Sequence, residues 1–192
     1  MYSGTRQTLL YKIRNQHDEN AWGEFVNIYK PFIASLIIKM NVKDVDDLLQ
    51  DTLIKCWKTL PDFEYKPDQG QFKSWLARMV YFNVISKNKV KKRRQELIED
   101  YVQKDEVPPD VEELADVEWR DFISKKAWDK VSKDLSGGMK NVYELVLQNK
   151  DIPDIAKELE MKENTVYRYR QRVEEKLIKE MRWLLRELGS FQ

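Results

Sequence analysis

Asp47, Gln50 and Asp51 stand at i, i+3 and i+4 with Asp46 beside them, so a helix through this stretch places them on one face, roughly opposite Leu49 and Leu53. Paired carboxylates can do acid–base or metal chemistry, but an open helix face offers no burial to raise a pKa. A second set is cationic. Lys73, Arg78, Lys87, Lys89, Lys91, Lys92, Arg93 and Arg94 fall in a stretch, Gln69 to Gln95, that contains no acidic residue. Such a block suits phosphate backbones, with salt-sensitive and largely sequence-independent affinity. A third set lies near the C-terminus: Glu163, Asn164, Thr165, Tyr167, Arg168, Arg170 and Arg172. Asn164 and Arg168 there can each make bidentate contacts to base edges, worth roughly 1–3 kcal/mol of discrimination apiece. Asn83 is different: it sits at helical spacing from Leu76, Met79 and Val80, an amide interrupting an apolar stripe. A buried amide needs hydrogen-bond partners, which a neighbouring segment must supply.

Other chemistries are poorly provided for. Cys56 is the single cysteine and His17 the single histidine, which leaves no disulfide, cysteine-rich zinc site or Ser-His-Asp triad to build and gives no reason to expect a cofactor. Cys56 falls on an apolar face and reads as a buried structural thiol. The 34 basic and 33 acidic residues nearly cancel, but they are segregated, and distribution matters more than the sum. No signal-peptide pattern opens the chain, and the longest apolar run, Phe32 to Ile38, is too short to cross a bilayer. The expectation is a soluble, cytoplasmic protein without membrane insertion.

The elements that must carry these residues are helical, and no period-2 strand is evident. Trp22, Phe25, Val26, Tyr29, Phe32, Ile33, Leu36, Ile37 and Met40 form one long stripe that Pro31 is expected to kink. A second helix starts from Asp44 as N-cap with Asp47 at N3, burying Val45, Leu48, Leu49, Leu53, Cys56, Trp57 and Leu60. Pro61 to Gln71 reads as a loop, and a third helix opens near Phe72. Residues 96–121, rich in Asp and Glu with Pro108-Pro109, read as a mostly solvated acidic linker with at most a short helix at its far end. Beyond it come Phe122 to Val131, a turn at Gly137-Gly138, and helices over Lys140 to Gln148, Ile152 to Glu160 and Asn164 to about Leu188. A short helix, tight turn and arginine-bearing longer helix make a helix-turn-helix pattern, with Tyr169, Val173 and Leu177 facing inward alongside Val166. The fold class is therefore all-α with two helical domains, 5–95 and 122–190, joined by the linker 96–121.

Three stretches in order carry a family resemblance. Asp44-Val45-Asp46-Asp47-Leu48-Leu49-Gln50-Asp51 resembles the acidic signature in region 2 of sigma-70-type transcription initiation factors, particularly their extracytoplasmic-function (ECF) group. Phe72-Lys73-Ser74-Trp75-Leu76 followed by Asn83 is similar to that group's F-x-x-W-L element and its asparagine, and Ile152 to Val173 is similar to its region 4. The resemblance implies a non-enzymatic factor that binds core RNA polymerase and both double-stranded and melted promoter DNA, with an anti-sigma factor as a further possible partner. Asp46, Asp47, Gln50 and Asp51 would dock on the polymerase clamp. Phe63, the loop 64–71 and Asn83 would capture a flipped base of the −10 element, with Arg78, Lys87, Lys91, Lys92 and Arg93 on the surrounding DNA. Region 2 would then occupy 5–95, and region 4 at 122–190 would read the −35 element through Glu163, Asn164, Thr165, Tyr167, Arg168, Arg170 and Arg172. The acidic linker would follow a positively charged polymerase channel. Two departures stand out: Arg78-Met79 replaces the paired tryptophans of housekeeping factors, and Glu160 stands where many relatives have glycine in the turn. Residue patterns alone leave open a self-sufficient DNA-binding regulator, or an enzyme acting on nucleic acid.

Overall fold

The structure, a computed structural model, describes residues 6–13, 18–63, 72–95 and 109–189, with the side chains of 6–8, 11, 88–95, 109 and 189 outside the description. The fold is all-α, and no strand occurs among the described residues. The helices are α1 (Arg6–Ile13), α2 (Glu19–Lys39), α3 (Val45–Thr59), α4 (Phe72–Gln95), α5 (Pro109–Val131), α6 (Gly137–Leu147), α7 (Ile152–Glu158) and α8 (Glu163–Leu184). Contacts divide the chain into two units, Met1–Phe122 with Glu187–Gln192, and Ile123–Arg186.

In the first unit α2, α3 and α4 pack pairwise, with α1 against α2. The α2 stripe of Phe25, Ile28, Tyr29, Phe32, Ile33, Leu36 and Ile37 is buried, and Pro31 is accommodated inside the helix. Asp18 caps α2, its Oδ1 accepting from the Ala21 amide at 2.9 Å. Leu48, Leu49 and Cys56 are buried on α3 and Phe72, Leu76, Ala77, Val80 and Val84 on α4, and the two helices are in contact. Rings dominate the seam: Tyr29 and Phe72 meet edge-on with centroids 5.2 Å apart, and Phe72 stacks on Trp75 at 5.3 Å. Asp44 occupies the N-cap position of α3 as expected, but its side chain makes no capping hydrogen bond there.

The acidic segment differs from a solvated linker. From Pro109 onward it is α5, and Val111, Ala115, Trp119 and Phe122 are buried at helical spacing. Trp119 meets Phe32 edge-on at 4.9 Å and stacks with Tyr29 at 6.5 Å. Two large rings supply the apolar area that the surrounding carboxylates conceal in the composition.

In the second unit α6, α7 and α8 pack pairwise around Val142, Ile155, Ala156 and Val166. The glycine pair is not a turn: α6 begins at Gly137. A Cβ on Gly138 would lie 3.2 Å from the Tyr169 ring, so that position admits the close approach of α8. The link between α7 and α8 is a Schellman turn. Glu160 adopts φ +52°, the Met161 amide donates to Ala156 O at 2.9 Å, and the Glu160 amide donates to Lys157 O at 3.4 Å. Met161 then packs against the core of the unit. A left-handed glutamate where glycine is the usual residue costs backbone strain of order 1 kcal/mol.

Candidate functional site

Three surfaces carry the residues singled out above. On α3, Asp46, Asp47 and Gln50 are exposed and Asp51 half-buried, while Leu48, Leu49 and Cys56 hold the opposite side in the core. The acidic face is not free of cations. Lys87 Nζ of α4 lies 2.5 Å from Asp47 Oδ2 and 2.9 Å from Asp51 Oδ2, and hydrogen bonds to Asp47 and then Asp51 hold its ammonium above the usual lysine range. Lys87, expected on DNA, is thus shared with the carboxylates expected on polymerase.

Behind this face α3 and α4 are joined by Asn83, which is 3% exposed. Its Nδ2 donates to Thr52 Oγ1 at 2.9 Å, with Leu48 O at 3.5 Å. Its Oδ1 accepts from Lys55 Nζ at 2.5 Å. The Thr52 hydroxyl in turn donates to Leu48 O at 2.7 Å. The amide therefore has an occupation of its own inside the bundle, and Thr52 and Lys55 were not singled out from the sequence. A polar Thr at the buried register of α3, opposite an amide on α4, was the available signal. Cys56 is also buried, its Sγ 3.4 Å from Met79 Sδ, and burial pushes the thiol up to about 12. Phe63 packs on Trp75 and Phe72, with centroids 4.7 and 5.8 Å away. The loop 64–71 and the side chains of Lys91, Lys92 and Arg93 lie outside the described residues, although α4 runs on through Gln95.

A second edge of α4 meets α5. Lys73 Nζ lies 2.7 Å from Asp116 Oδ1, and Arg78 Nη2 lies 2.6 Å from Glu112 Oε1. Arg78, expected on phosphates, is therefore paired within the chain.

The third surface is the first half of α8. Glu163, Asn164, Tyr167, Arg168, Arg170 and Arg172 are exposed and Thr165 half-buried, whereas Val166, Val173 and Leu177 are buried. Arg170 is tied to Glu174 at 2.8 Å. Asn164, Tyr167, Arg168 and Arg172 thus stand out from a helix that its buried side anchors onto α6 and α7. Among the described residues no group of three His, Cys, Asp or Glu side chains could hold a metal ion, and no helix is long and apolar enough to cross a membrane.

Residues 25–96 match the family model for sigma-70 region 2. No curated protein matches the sequence. Among solved structures, the chain is similar to CnrH in complex with the cytosolic domain of CnrY, at 19% identity and a TM-score of 0.36, covering 90% of this chain and 94% of that one.

Proposed function

We propose that the chain is an ECF-type sigma factor, which binds core RNA polymerase and directs initiation at promoters read through their −10 and −35 elements. The observation that carries this is the face of exposed Asp46, Asp47 and Gln50 with half-buried Asp51, within the segment that matches sigma-70 region 2. Charges at the rim of an interface steer and orient association, and four polar groups on one rigid helix suit docking on a basic partner. In this reading the protein works in the cytoplasm, forms no bond itself, and has an anti-sigma factor as an additional partner.

Promoter contacts follow from the other surfaces. α7, the Schellman turn and α8 form a helix-turn-helix in which Asn164, Tyr167, Arg168 and Arg172 address the −35 element, with Glu163 and Thr165 at the helix start and Arg170 nearer the backbone. Arg78, Lys87, Lys91, Lys92 and Arg93 follow phosphates around the −10 element. Phe63, the loop 64–71 and Asn83 take the flipped base. The Nδ2 of Asn83 is held by Thr52, while its Oδ1 is held by Lys55, whose residue is exposed; the Oδ1 end is the one a base amino group takes when Lys55 swings aside. Flipping costs a few kcal/mol, which the assembled polymerase offsets.

The test is transcription in vitro with purified cognate core polymerase on genomic fragments. Discrete start sites dependent on the protein are expected, and a folded sample that yields none overturns the reading. Arg168→Ala should cost about 1–3 kcal/mol on the preferred −35 sequence and relax selectivity at one position. Asn83→Ala should alter preference at one −10 base, and uniform loss across all −10 variants defeats its base-reading role.

A further inference from the structure

We propose that the stretch Pro109–Phe122 of α5 is an internal cover that competes with DNA for the Lys73 and Arg78 edge of α4. The inference rests on the reading of α4 as a DNA-binding helix. Both belong to the first unit, and the cover is built from two kinds of contact. Its apolar stripe of Val111, Ala115, Trp119 and Phe122 is buried, with Trp119 and Phe122 on the Phe32 ring at 4.9 and 5.8 Å. Beside that stripe, Glu112 and Asp116 stand at i and i+4 and reach the two basic residues at 2.6 and 2.7 Å. Carboxylates one helical turn apart therefore take the place of successive phosphates. The Lys73 side chain is only 15% exposed, so while this pair stands it is closed to another anion.

The seat is built to come off. Glu118 lies on the buried side of the same helix, its side chain 5% exposed. Its Oε1 makes no hydrogen bond among the described residues, and Lys39 approaches it only to 3.7 Å. A carboxylate removed from water with so little compensation weakens the docking that Trp119 drives. The two flanking ion pairs are exposed on their acidic side and yield to salt or to a stronger polyanion. Covered, the factor has reduced affinity for DNA at large; a partner that takes α5 away, or a promoter held against α4 by polymerase, uncovers the edge.

The experiment measures binding of the full chain, without polymerase, to a fluorescein-labelled duplex oligonucleotide of arbitrary sequence by anisotropy over a salt series. Glu112→Gln with Asp116→Asn uncovers the edge and should tighten binding about fivefold at low salt, with a steeper salt dependence. Because that change also makes the protein more cationic, Glu113→Gln with Asp121→Asn, exposed acids of the same helix, is the charge-matched comparison and should gain less than twofold. The gain should vanish when Lys73→Gln and Arg78→Gln are added. Equal gains in the two charge-matched variants, or a gain that survives loss of Lys73 and Arg78, overturns the cover. The acidic substitutions are on the surface, whereas Lys73 is largely covered, so far-UV circular dichroism and urea unfolding verify the fold of each variant. Failure of the underlying reading shows elsewhere, as unaltered protein that does not bind core polymerase.

Discussion

Removing the Asn83 side chain tests the joint between the acidic and basic helices most directly. Asn83→Ala deletes the hydrogen bond to Thr52 at 2.9 Å and the longer contact to Leu48 O at 3.5 Å. A neutral buried hydrogen bond contributes about 1 kcal/mol, and the longer contact adds little. The Lys55 bond is charge-assisted, but the residue is exposed, so water replaces the lost partner and the cost is at most about 0.5 kcal/mol. The gap left at a position 3% exposed adds about 1 kcal/mol of lost packing. The total is about 2–3 kcal/mol. Urea unfolding of the full chain, followed by both tryptophan emission and circular dichroism, should show that loss in the transition of the first unit. A double-mutant cycle with Thr52→Val isolates the shared bond and should give a coupling of about 1 kcal/mol. A loss below about 0.5 kcal/mol, with no coupling, would show that the amide does not join α3 to α4 and would remove the physical basis for placing it there.

Three further outcomes are expected. Asp51→Arg should lower affinity for core polymerase at least tenfold in a binding titration, whereas Lys87→Gln, which releases Asp47 and Asp51, should raise it about twofold to fivefold; a fall in the second case contradicts the docking assignment. Glu160→Gly relieves the left-handed glutamate at φ +52° and should stabilise the second unit by about 0.5–1 kcal/mol, read as a higher melting temperature. Burial raises the Cys56 thiol from 9.0 to about 12, so the folded state favours the protonated form. The stability tied to it is fully present below pH 9 and is lost as pH rises toward 12, with a slope of up to about 1.4 kcal/mol per pH unit. Cys56→Ala should flatten that part of the stability profile, and an unchanged slope would show that the thiol is not its source.

The helical periodicity placed the cores of α2, α3 and α8 well, because apolar residues at spacings of three and four leave one geometric solution. Tyr169, Val173 and Leu177 were expected inward on α8, where they are half-buried or buried. The first half of α5 was missed for a definable reason: its stripe is thin, and carboxylates flank Val111, Ala115 and Trp119, so composition suggested solvation while two rings supply the packing. Gly137-Gly138 suggested a turn from propensity, yet tertiary approach of Tyr169 overrides it. Least legible were the pairings of Lys87 with Asp47 and Asp51 and of Arg78 with Glu112, separated by 36 to 40 residues or 34 residues in the chain. Charge patterns show where cations lie but not which anion each one meets, since that depends on how helices distant in sequence come together. Asn83 was recognisable as an amide needing partners; Thr52 and Lys55 became visible as those partners only in three dimensions.

Trp119 gives the molecule an optical gauge of its own. At 2% exposure among Phe32, Tyr29 and Phe122, its indole is shielded from collisional quenchers and emits from an apolar medium. Lifting the acidic helix must bring that indole into water, moving its emission to longer wavelength and opening it to iodide or acrylamide. Because the chain carries six tryptophans, the opening is read as the difference in emission between the protein and its Trp119→Phe variant, with no label attached.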